Sequence, residues 1–509
     1  MIFGSSRYLK DATQNDLEQK RMINSRTLHC YKLCGYNIVL DIAGGSIHCV
    51  DDVAYDVIRI YELINDGKDQ QILINRVLSY HPDITAEEVR EVLADVEALK
   101  NRGKLFSPDT FTDVANTTNS APLKALCMNV SHACNMSCTY CFAGHGSLGI
   151  IEPDTSLARQ NGIVVDNKSK LMSLETGKKA VDFLVRNSGE RRNLDIDFFG
   201  GEPLLNWEVV KDIVRYAREI ERGCGKNFRF TLTTNGLLID DDVIDFTNNQ
   251  MHNVVLSLDG RPEIHNAMRK LPNGDGSYEN VVDKIKKLVE ERRGKGYYIR
   301  GTFTRENKDF VNDILHIADL GFKEISLEPV VKQGDRFSAS CREAENLSPC
   351  FTFEDLPELC AQYETLAVEM LRREKLGTGF NFYHFNLDLT GGPCIYKRIA
   401  GCGVGTEYLA VTPTGELYPC HQFIGDQKFL MGDVWRGITN AGLRAQFINC
   451  NIYSRSECKD CWARFYCSGG CAANAYHDMG NIEGIYDVGC ELFKKRIECA
   501  IMMHVAKAM

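Results

Sequence analysis

The stretch SHACNMSCTYCFAGHG, residues 131–146, carries three cysteines in the spacing CxxxCxxC. Three residues separate Cys134 from Cys138, two separate Cys138 from Cys141, and no fourth cysteine follows nearby. A closed structural zinc site takes four ligands. Three thiolates instead suit a 4Fe–4S cluster in which one iron stays open to an exogenous ligand. The loop therefore predicts an iron–sulfur site at the end of the preceding apolar strand.

Cysteine usage along the chain also favours metal binding. The 509 residues contain 21 cysteines, and twelve of them lie between Cys341 and Cys490 inclusive. The N-terminus lacks the apolar core of a signal peptide, so a cytoplasmic location is expected. Disulfides are disfavoured there, which argues against a secreted disulfide scaffold. Zinc bound by the three loop cysteines together with His132 or His145 is the alternative to a cluster.

Composition and net charge argue against nucleic acid and membranes as binding partners. Hydrophobic residues make up 44% of the chain and charged residues 25%, which is typical of a soluble globular protein. The formal net charge of −10 does not indicate the positively charged surface that binds nucleic acid, so nucleic acid is not an expected partner. No apolar run reaches about 18 residues, so no membrane partner is expected either.

Between residues 121 and 335 strand patterns alternate with helix patterns, which predicts an α/β fold with a parallel sheet. Several strands end in polar or glycine-rich tips, among them LDIDFFGGEP, FRFTLTTNG and NVVLSLDG. Such tips favour a partial barrel of the (β/α)6 type, whose site lies at the carboxyl ends of its strands. The alternative, an open sheet around a dinucleotide, lacks the GxGxxG turn.

The remaining segments differ in composition from the barrel. Residues 26–104 predict a separate module: LHCYKLCGYNIVLDIAGGSIHCVDD suggests two short strands, and the helix that follows Thr85 opens with a capping box to Glu88. Strands followed by helices are typical of a winged-helix-like unit. A DNA-binding winged helix is the alternative, but the module is acidic around GSIHCVDDVAYD. The other expected segments are a loosely ordered tail (1–25), a linker (105–120), bridging helices (336–393) and a cysteine-rich domain (394–509).

The cysteine loop and the strand tips together resemble the radical S-adenosylmethionine (SAM) enzymes. An aromatic residue, Phe142, follows the last cysteine, and GGEP, TTNG, SLDG and HNAMR follow in order. The resemblance implies that the loop cysteines bind a 4Fe–4S cluster and that other motif residues contact SAM. These residues are Gly200, Gly201, Glu202, Pro203, Thr234, Asn235, Ser257, Asp259 and Arg269.

The family pattern also implies roles within this set. The GGEP backbone and Glu202 would receive the methionine amino group, whereas Ser257 and Arg269 would contact its carboxylate. The family's chemistry would be reductive cleavage of SAM to a 5′-deoxyadenosyl radical that abstracts hydrogen from an unactivated carbon.

The C-terminal cysteines resemble the SPASM extension, which binds two auxiliary iron–sulfur clusters. By that resemblance one cluster would be bound by Cys402, Cys420 and Cys471, and the other by Cys458, Cys461, Cys467 and Cys490. Whether Cys394 completes the first set or leaves an open iron is undecided from the sequence, and paired zinc sites are the alternative. His421 follows Cys420 where some relatives have an acidic residue, so it is a weak candidate for a base. Ten other cysteines lie outside any motif and are expected to be small buried side chains.

Taken together, the segments resemble the maturases of SCIFF peptides, which are small cysteine-rich precursors. The likeness implies a thioether bond between a peptide cysteine and a carbon of an acceptor residue, often threonine. It also implies three 4Fe–4S clusters, a leader peptide bound as an added strand at residues 26–104, and a reductant such as flavodoxin or ferredoxin. The 147–170 segment departs from the family pattern, and the two interpretations are that it alters access to the site or that it is a mobile loop. The alternatives are another SPASM peptide enzyme, forming carbon–carbon crosslinks or oxidising Ser or Cys, and a redox-sensing iron–sulfur protein.

Overall fold

A computed structural model describes most of the chain. The described residues are 27–64, 69–116, 122–141, 170–331, 349–389 and 394–509. The expected N-terminal tail, Phe142, His145, Cys341 and nearly all of the 147–170 segment lie outside these ranges.

The N-terminal module contains a three-stranded antiparallel sheet in the order β1 (Leu28–Leu33), β2 (Tyr36–Asp41) and β3 (Ile47–Val50). The prediction of two strands was wrong, because a tight turn splits the first of them. Cys34 and Gly35 form that turn with φ of 49° and 84°. Glycine tolerates such positive φ at no steric cost, and the pair reverses the chain within two residues.

Three helices cover one face of this sheet: α1 (Asp52–Leu63), α2 (Gln70–Tyr80) and α3 (Ala86–Asn101). The predicted capping box is present, since the Thr85 hydroxyl accepts from the Glu88 amide and the Glu88 carboxylate accepts from the Thr85 amide. The helices and the sheet share an apolar core of their own. Helix α2 was not anticipated from the sequence.

The segment predicted as a linker, 105–120, packs against the C-terminal region in its described part. It contains a short helix, α4 (Thr112–Asn116). The Asp109 carboxylate accepts hydrogen bonds from Arg464 Nη2 at 2.9 Å and from the Tyr453 hydroxyl at 2.8 Å. These contacts attach the chain between module and barrel to the cysteine-rich region.

The central domain confirms the predicted α/β barrel. Six parallel strands lie side by side in chain order. They are β4 (Ala125–Ser131), β5 (Asn193–Gly200), β6 (Asn227–Thr234), β7 (Asn253–Ser257), β8 (Gly296–Phe303) and β9 (Glu324–Pro329). The intervening helices are α5 (Leu174–Asn187), α6 (Trp207–Cys224), α7 (Asp241–Gln250), α8 (Pro262–Met268), α9 (Tyr278–Glu291) and α10 (Phe310–Asp319).

The sheet continues beyond these six strands into the C-terminal region. A short strand, β10 (Asn381–Phe382), pairs with β9, and β11 (Tyr408–Val411) pairs in parallel with β4. The antiparallel strands β12 (Glu416–Tyr418), β13 (Gly432–Asp433) and β14 (Gly437–Ile438) complete an 11-stranded sheet. The cysteine-rich region is thus joined to the barrel by backbone hydrogen bonds.

The remaining helices lie after β9. They are α11 (Leu356–Lys375), α12 (Ile395–Ala400), α13 (Ala441–Asn449), α14 (Arg464–Cys467), α15 (Ala472–Met479) and α16 (Asp487–Ala508). Where several bridging helices were expected, the described part of residues 336–393 contains the single long helix α11, which packs against α16. No helix in the described ranges is both long and apolar enough to cross a membrane.

Candidate active site

A cavity of about 370 Å³ lies at the carboxyl ends of the barrel strands. It brings together most of the residues that the sequence singled out. From the barrel these are Cys134, Cys138, Cys141, Gly200, Gly201, Glu202, Thr234, Asn235, Ser257 and Arg269, and from the C-terminal region His421 and Cys471. Strand ends far apart in sequence meet here because parallel strands place their carboxyl ends at one edge.

The cysteine loop is attached to the GGEP turn by backbone hydrogen bonds. Gly201 N donates to Ser131 O at 2.8 Å, and Glu202 N donates to Ala133 O at 2.9 Å. A Cβ atom on Gly201 would lie 2.3 Å from Ala133 O, so only glycine allows this approach. The glycine pair therefore sets the distance between the loop and strand β5.

The loop thiols are buried enough to disfavour the thiolate form without a bound metal. Burial raises the pKa of Cys134 to about 11 and that of Cys138 to about 12. The Cys141 thiol also raises both pKa values, and all three cysteines line the same cavity. Metal binding would release these protons. The amide Nδ2 of Asn235 lies 3.8 Å from Cys134 Sγ, as a donor to a ligating sulfur would.

The three loop thiols fit the donor set that a 4Fe–4S cluster takes. Within the described ranges no three His, Cys, Asp or Glu side chains are placed to share one metal ion. In a 4Fe–4S cluster each thiolate binds a different iron, so three neighbouring sulfurs need not converge on one point. The zinc alternative with His145 concerns a residue outside the described part of the chain.

Glu202 is fully buried and already forms hydrogen bonds within the protein. Its carboxylate accepts from Leu204 N at 3.0 Å, from Thr234 Oγ1 at 2.8 Å and from Asn235 N at 2.8 Å. Burial outweighs these bonds and raises its pKa to about 7. The carboxylate thus joins the tips of β5 and β6, and its place in the cavity wall is compatible with the predicted contact to an ammonium group. Pro203 is buried and opens a short helical turn outside the cavity lining.

Asp259 and Arg269 form a buried ion pair. Arg269 Nη2 lies 3.0 Å from Asp259 Oδ1, and the Tyr140 hydroxyl donates to Asp259 Oδ2 at 2.6 Å. Asp259 was predicted to contact the cofactor, but it lies behind the cavity wall and orients Arg269 and Tyr140. Arg269 Nε is buried with no hydrogen-bond partner among the described residues, which leaves it a donor for a ligand carboxylate.

The electrostatic couplings among the seven SPASM-type cysteines are compatible with the two predicted groups, which stay predictions. Besides burial, Cys471 and Cys402 raise the pKa of Cys420, and Cys402 also raises that of Cys471. Burial raises the pKa of both Cys467 and Cys490 to about 12. Cys490 contributes to the rise at Cys467, and Cys458 and Cys461 contribute to both. Such effects act only between close groups. The partition is therefore compatible with two auxiliary clusters, which stay predictions.

Other predicted residues have mixed outcomes. Cys394 is exposed and caps helix α12, and its role as a ligand stays a prediction. His421 is half-buried beside Phe199, with ring centroids 4.9 Å apart, and burial lowers its pKa to about 4. Among the cysteines without a motif, two are exposed, contrary to expectation: Cys34 in the β1–β2 turn and Cys49 on β3.

The sequence analysis missed a charged cluster on the β8–β9 side of the cavity. Arg300 and Glu328 line the cavity. Glu328 lies 3.5 Å from both His384 Nε2 and Arg496 Nη1. Burial alone would raise the pKa of Glu328, but the three basic side chains around it lower the pKa below its usual value. The signal for Arg300 and Glu328 was a charged residue at inward positions of apolar strands.

Known proteins share this architecture. Residues 128–317 match the family model of the Radical SAM superfamily. The uncharacterized protein MJ0907 of Methanocaldococcus jannaschii is 26% identical over 208 residues, which cover 40% of this chain and 62% of that protein, less than two thirds of its length. The cysteine-type anaerobic sulfatase-maturating enzyme of Clostridium perfringens (strain 13 / Type A) is 26% identical over 366 residues, or 69% of this chain and 89% of that enzyme.

A solved structure shows the same fold. Native anSMEcpe with bound AdoMet superposes with a TM-score of 0.58 at 22% identity, covering 76% of this chain and 100% of that one. The match to the superfamily begins within β4 and ends within α10, and so includes the cysteine loop and five of the six strand ends. The barrel of this chain, with its cysteine loop, is thus similar to the radical SAM superfamily.

Proposed function

We propose that this protein is a peptide maturase that installs thioether crosslinks in a ribosomally made, cysteine-rich precursor of the SCIFF type. The observation that carries the proposal is a cavity lined both by the three loop thiols and by one thiol of the C-terminal region. Cys134, Cys138 and Cys141 lie on its barrel side, and Cys471 lies on its C-terminal side. A substrate in this cavity would contact both the radical-generating site and the cysteine-rich region.

The barrel side supplies the hydrogen-abstracting chemistry. When bound, the cluster and SAM supply a 5′-deoxyadenosyl radical, which removes hydrogen from an unactivated carbon. The protein's part is to bind and orient the cofactor. Arg269 is oriented by Asp259 and would bind the methionine carboxylate through its guanidinium, beside Ser257. Glu202 and the Gly200–Gly201 backbone offer acceptors to the amino group.

The overall reaction is an oxidation. A peptide C–H and a peptide S–H are lost and one C–S bond forms, so two hydrogens leave per crosslink. One would leave as a hydrogen atom, and the other would leave as a proton and an electron. The cysteines of the two C-terminal groups would hold the clusters able to accept that electron. A flavodoxin or ferredoxin would supply the electron that initiates each turnover.

The N-terminal module is the proposed binding site for the precursor's leader. Strand β3 (Ile47–Val50) pairs with β2 on one side, and no strand within the described ranges pairs with its other edge. An extended leader could add there as a fourth strand, with main-chain hydrogen bonds for affinity. The strand at the opposite edge of the sheet, β1, contacts helix α16 instead: the Tyr31 hydroxyl donates to Glu498 O at 3.0 Å.

A second candidate is oxidation of a Cys or Ser side chain in a peptide or protein. It is favoured by the similarity to the sulfatase-maturating enzyme of Clostridium perfringens, which extends over 89% of that enzyme's length. A side-chain oxidation leaves no crosslink. The two candidates therefore differ in product mass and in resistance to proteolysis.

The test is mass spectrometry of a cysteine-rich precursor co-expressed with the protein. A thioether maturase removes about two mass units per crosslink and leaves the crosslinked sulfur inert to alkylation. The matched control is the variant with Cys134→Ala, Cys138→Ala and Cys141→Ala, which should give unmodified peptide. An unmodified peptide despite SAM cleavage would contradict this substrate, and an aldehyde at a Cys or Ser without a crosslink would support the second candidate.

A further inference from the structure

Strand β8 contains one charged residue, Arg300, which lies on its inward face. Tyr297, Ile299, Gly301 and Phe303 of this strand are buried, whereas Arg300 is exposed and lines the cavity. The alternation of a strand puts Arg300 on the face opposite to its buried neighbours. Its side chain is therefore accessible to a ligand in the cavity.

The other charges of the cavity have partners within the protein. Arg269 forms its ion pair with Asp259 at 3.0 Å. Glu328 interacts with Arg496 and His384, both at 3.5 Å.

Glu202 is neutralised in another way, since its carboxylate accepts three hydrogen bonds. For Arg300, by contrast, the described part of the chain offers no hydrogen bond or ion pair to the guanidinium. Arg300 is close enough to Glu328 to help lower the pKa of its carboxyl, but that carboxylate already interacts with Arg496. Two guanidinium groups thus share one carboxylate, which leaves a net positive charge on this side of the cavity for an anion.

The position of Arg300 distinguishes between two possible anions. Arg300 faces Ser257 across the β7–β8 pairing and Ser326 across the β8–β9 pairing. The SAM carboxylate already has a candidate partner in Arg269, whose Nε is buried and unpartnered within the described residues. Arg300 is the cation left for the substrate, in a cavity whose far wall includes Cys471.

We propose that Arg300 receives the thiolate of the reacting peptide cysteine. This inference rests on the proposed function, because it assumes a cysteine-containing substrate. A guanidinium forms charge-assisted hydrogen bonds to an anion and favours the ionised form of a thiol placed beside it. The thiol proton leaves to solvent, and the thiolate is then held between β8 and the C-terminal wall.

Binding to the reconstituted holoenzyme, without turnover, tests this assignment. The probes are a short fluorescein-labelled peptide with one cysteine among glycines, and its Ser and Asp analogues. We expect wild type to bind the Cys peptide more tightly than the Ser peptide. Arg300→Gln should lose about tenfold in affinity for the Cys peptide and none for the Ser peptide, and Arg300→Lys should keep part of the affinity. Arg222→Gln, an exposed change on α6, should match wild type.

Three results would overturn the proposal. One is equal affinity of wild type for the Cys and Ser peptides. Another is an Arg300→Gln defect that appears with the Asp peptide but not with the Cys peptide, which would make the ligand a carboxylate. The last is weakened SAM binding in Arg300→Gln with unchanged peptide binding, which would place Arg300 at the cofactor. Because no crosslink has to form, thiolate binding can hold even if thioether synthesis fails, and the two claims are tested separately.

Discussion

Replacement of Gly201 by alanine tests whether the GGEP turn positions the cysteine loop. The new Cβ would lie 2.3 Å from Ala133 O, 2.7 Å from Ala133 C and 3.0 Å from His132 O. All three atoms belong to the backbone, so no side-chain rotation can relieve the overlap. The loop and the turn would have to separate by roughly 1 Å to restore an ordinary carbon contact.

The energetic cost follows from that separation. Forced overpacking of this kind costs about 1–3 kcal/mol. The separation also stretches two backbone hydrogen bonds, Gly201 N to Ser131 O and Glu202 N to Ala133 O, each of which contributes about 1 kcal/mol. We therefore expect a loss of about 2–4 kcal/mol if the structure does not relax elsewhere. A displacement of about 1 Å at the site would lower turnover by roughly 100-fold.

The assay combines urea unfolding of the metal-free protein with iron and sulfide content after reconstitution. The matched control is Gly223→Ala in α6, where a Cβ meets no atom within 4 Å and alanine should stabilise the helix by about 0.5–1 kcal/mol. The two alanine variants should thus shift stability in opposite directions, and Gly201→Ala alone should lose iron. A Gly201→Ala protein with a wild-type unfolding midpoint and full iron content would refute the reasoning.

Three further predictions concern other parts of the chain. Glu202→Gln replaces one hydrogen-bond acceptor oxygen by an NH2 donor and should lower the free energy of unfolding in urea by about 1–3 kcal/mol. The control Glu208→Gln, on the exposed side of α6, should lower it little. Equal effects of the two changes would contradict the three hydrogen bonds assigned to Glu202. Burial lowers the pKa of His265 to about 4, so its neutral form contributes stability above the unfolded pKa of about 6.5 that is lost as pH falls toward 4. The destabilisation caused by His265→Gln should therefore shrink by about 1.4 kcal/mol between pH 7.5 and 5.5, and a pH-independent difference would argue against this. Trp462→Ala removes a ring stacked 3.6 Å from His29 and should speed hydrogen exchange in β1 severalfold, whereas Trp435→Ala should not; unchanged exchange would show that the stack does not hold the module.

Much of the site could be predicted because its signals are local. The CxxxCxxC spacing places three thiols in one loop whatever the rest of the chain does. The tips GGEP, TTNG and SLDG each end a strand, and parallel strands bring such ends to one edge. The sequence did not reveal the ion pair between Asp259 and Arg269, because only folding brings these two side chains together, and the cofactor contact of Asp259 stays a prediction.

The turn in the N-terminal module was not predicted, for a related reason. Cys34 adopts a positive φ that its residue type does not favour, so no local signal divided the first strand in two. Helix α2 carries only a weak apolar stripe, with Leu73, Ile74 and Val77 buried, and the shared core of the module supplies the stabilisation that its own sequence lacks.

The sequence by itself determined the ligand-bearing loop, the order of strands and helices in the barrel, and the spacing of the C-terminal cysteines. These depend on residue type and short-range periodicity, which act within a few positions. Only the tertiary structure decided which charges are neutralised and which are left for a ligand. Glu328 meets Arg496 across 168 residues of sequence, so Arg300 nearby shares a carboxylate that already has a partner. Such pairings depend on how separate elements pack, because an ion pair forms only where folding brings its two side chains within a few ångströms.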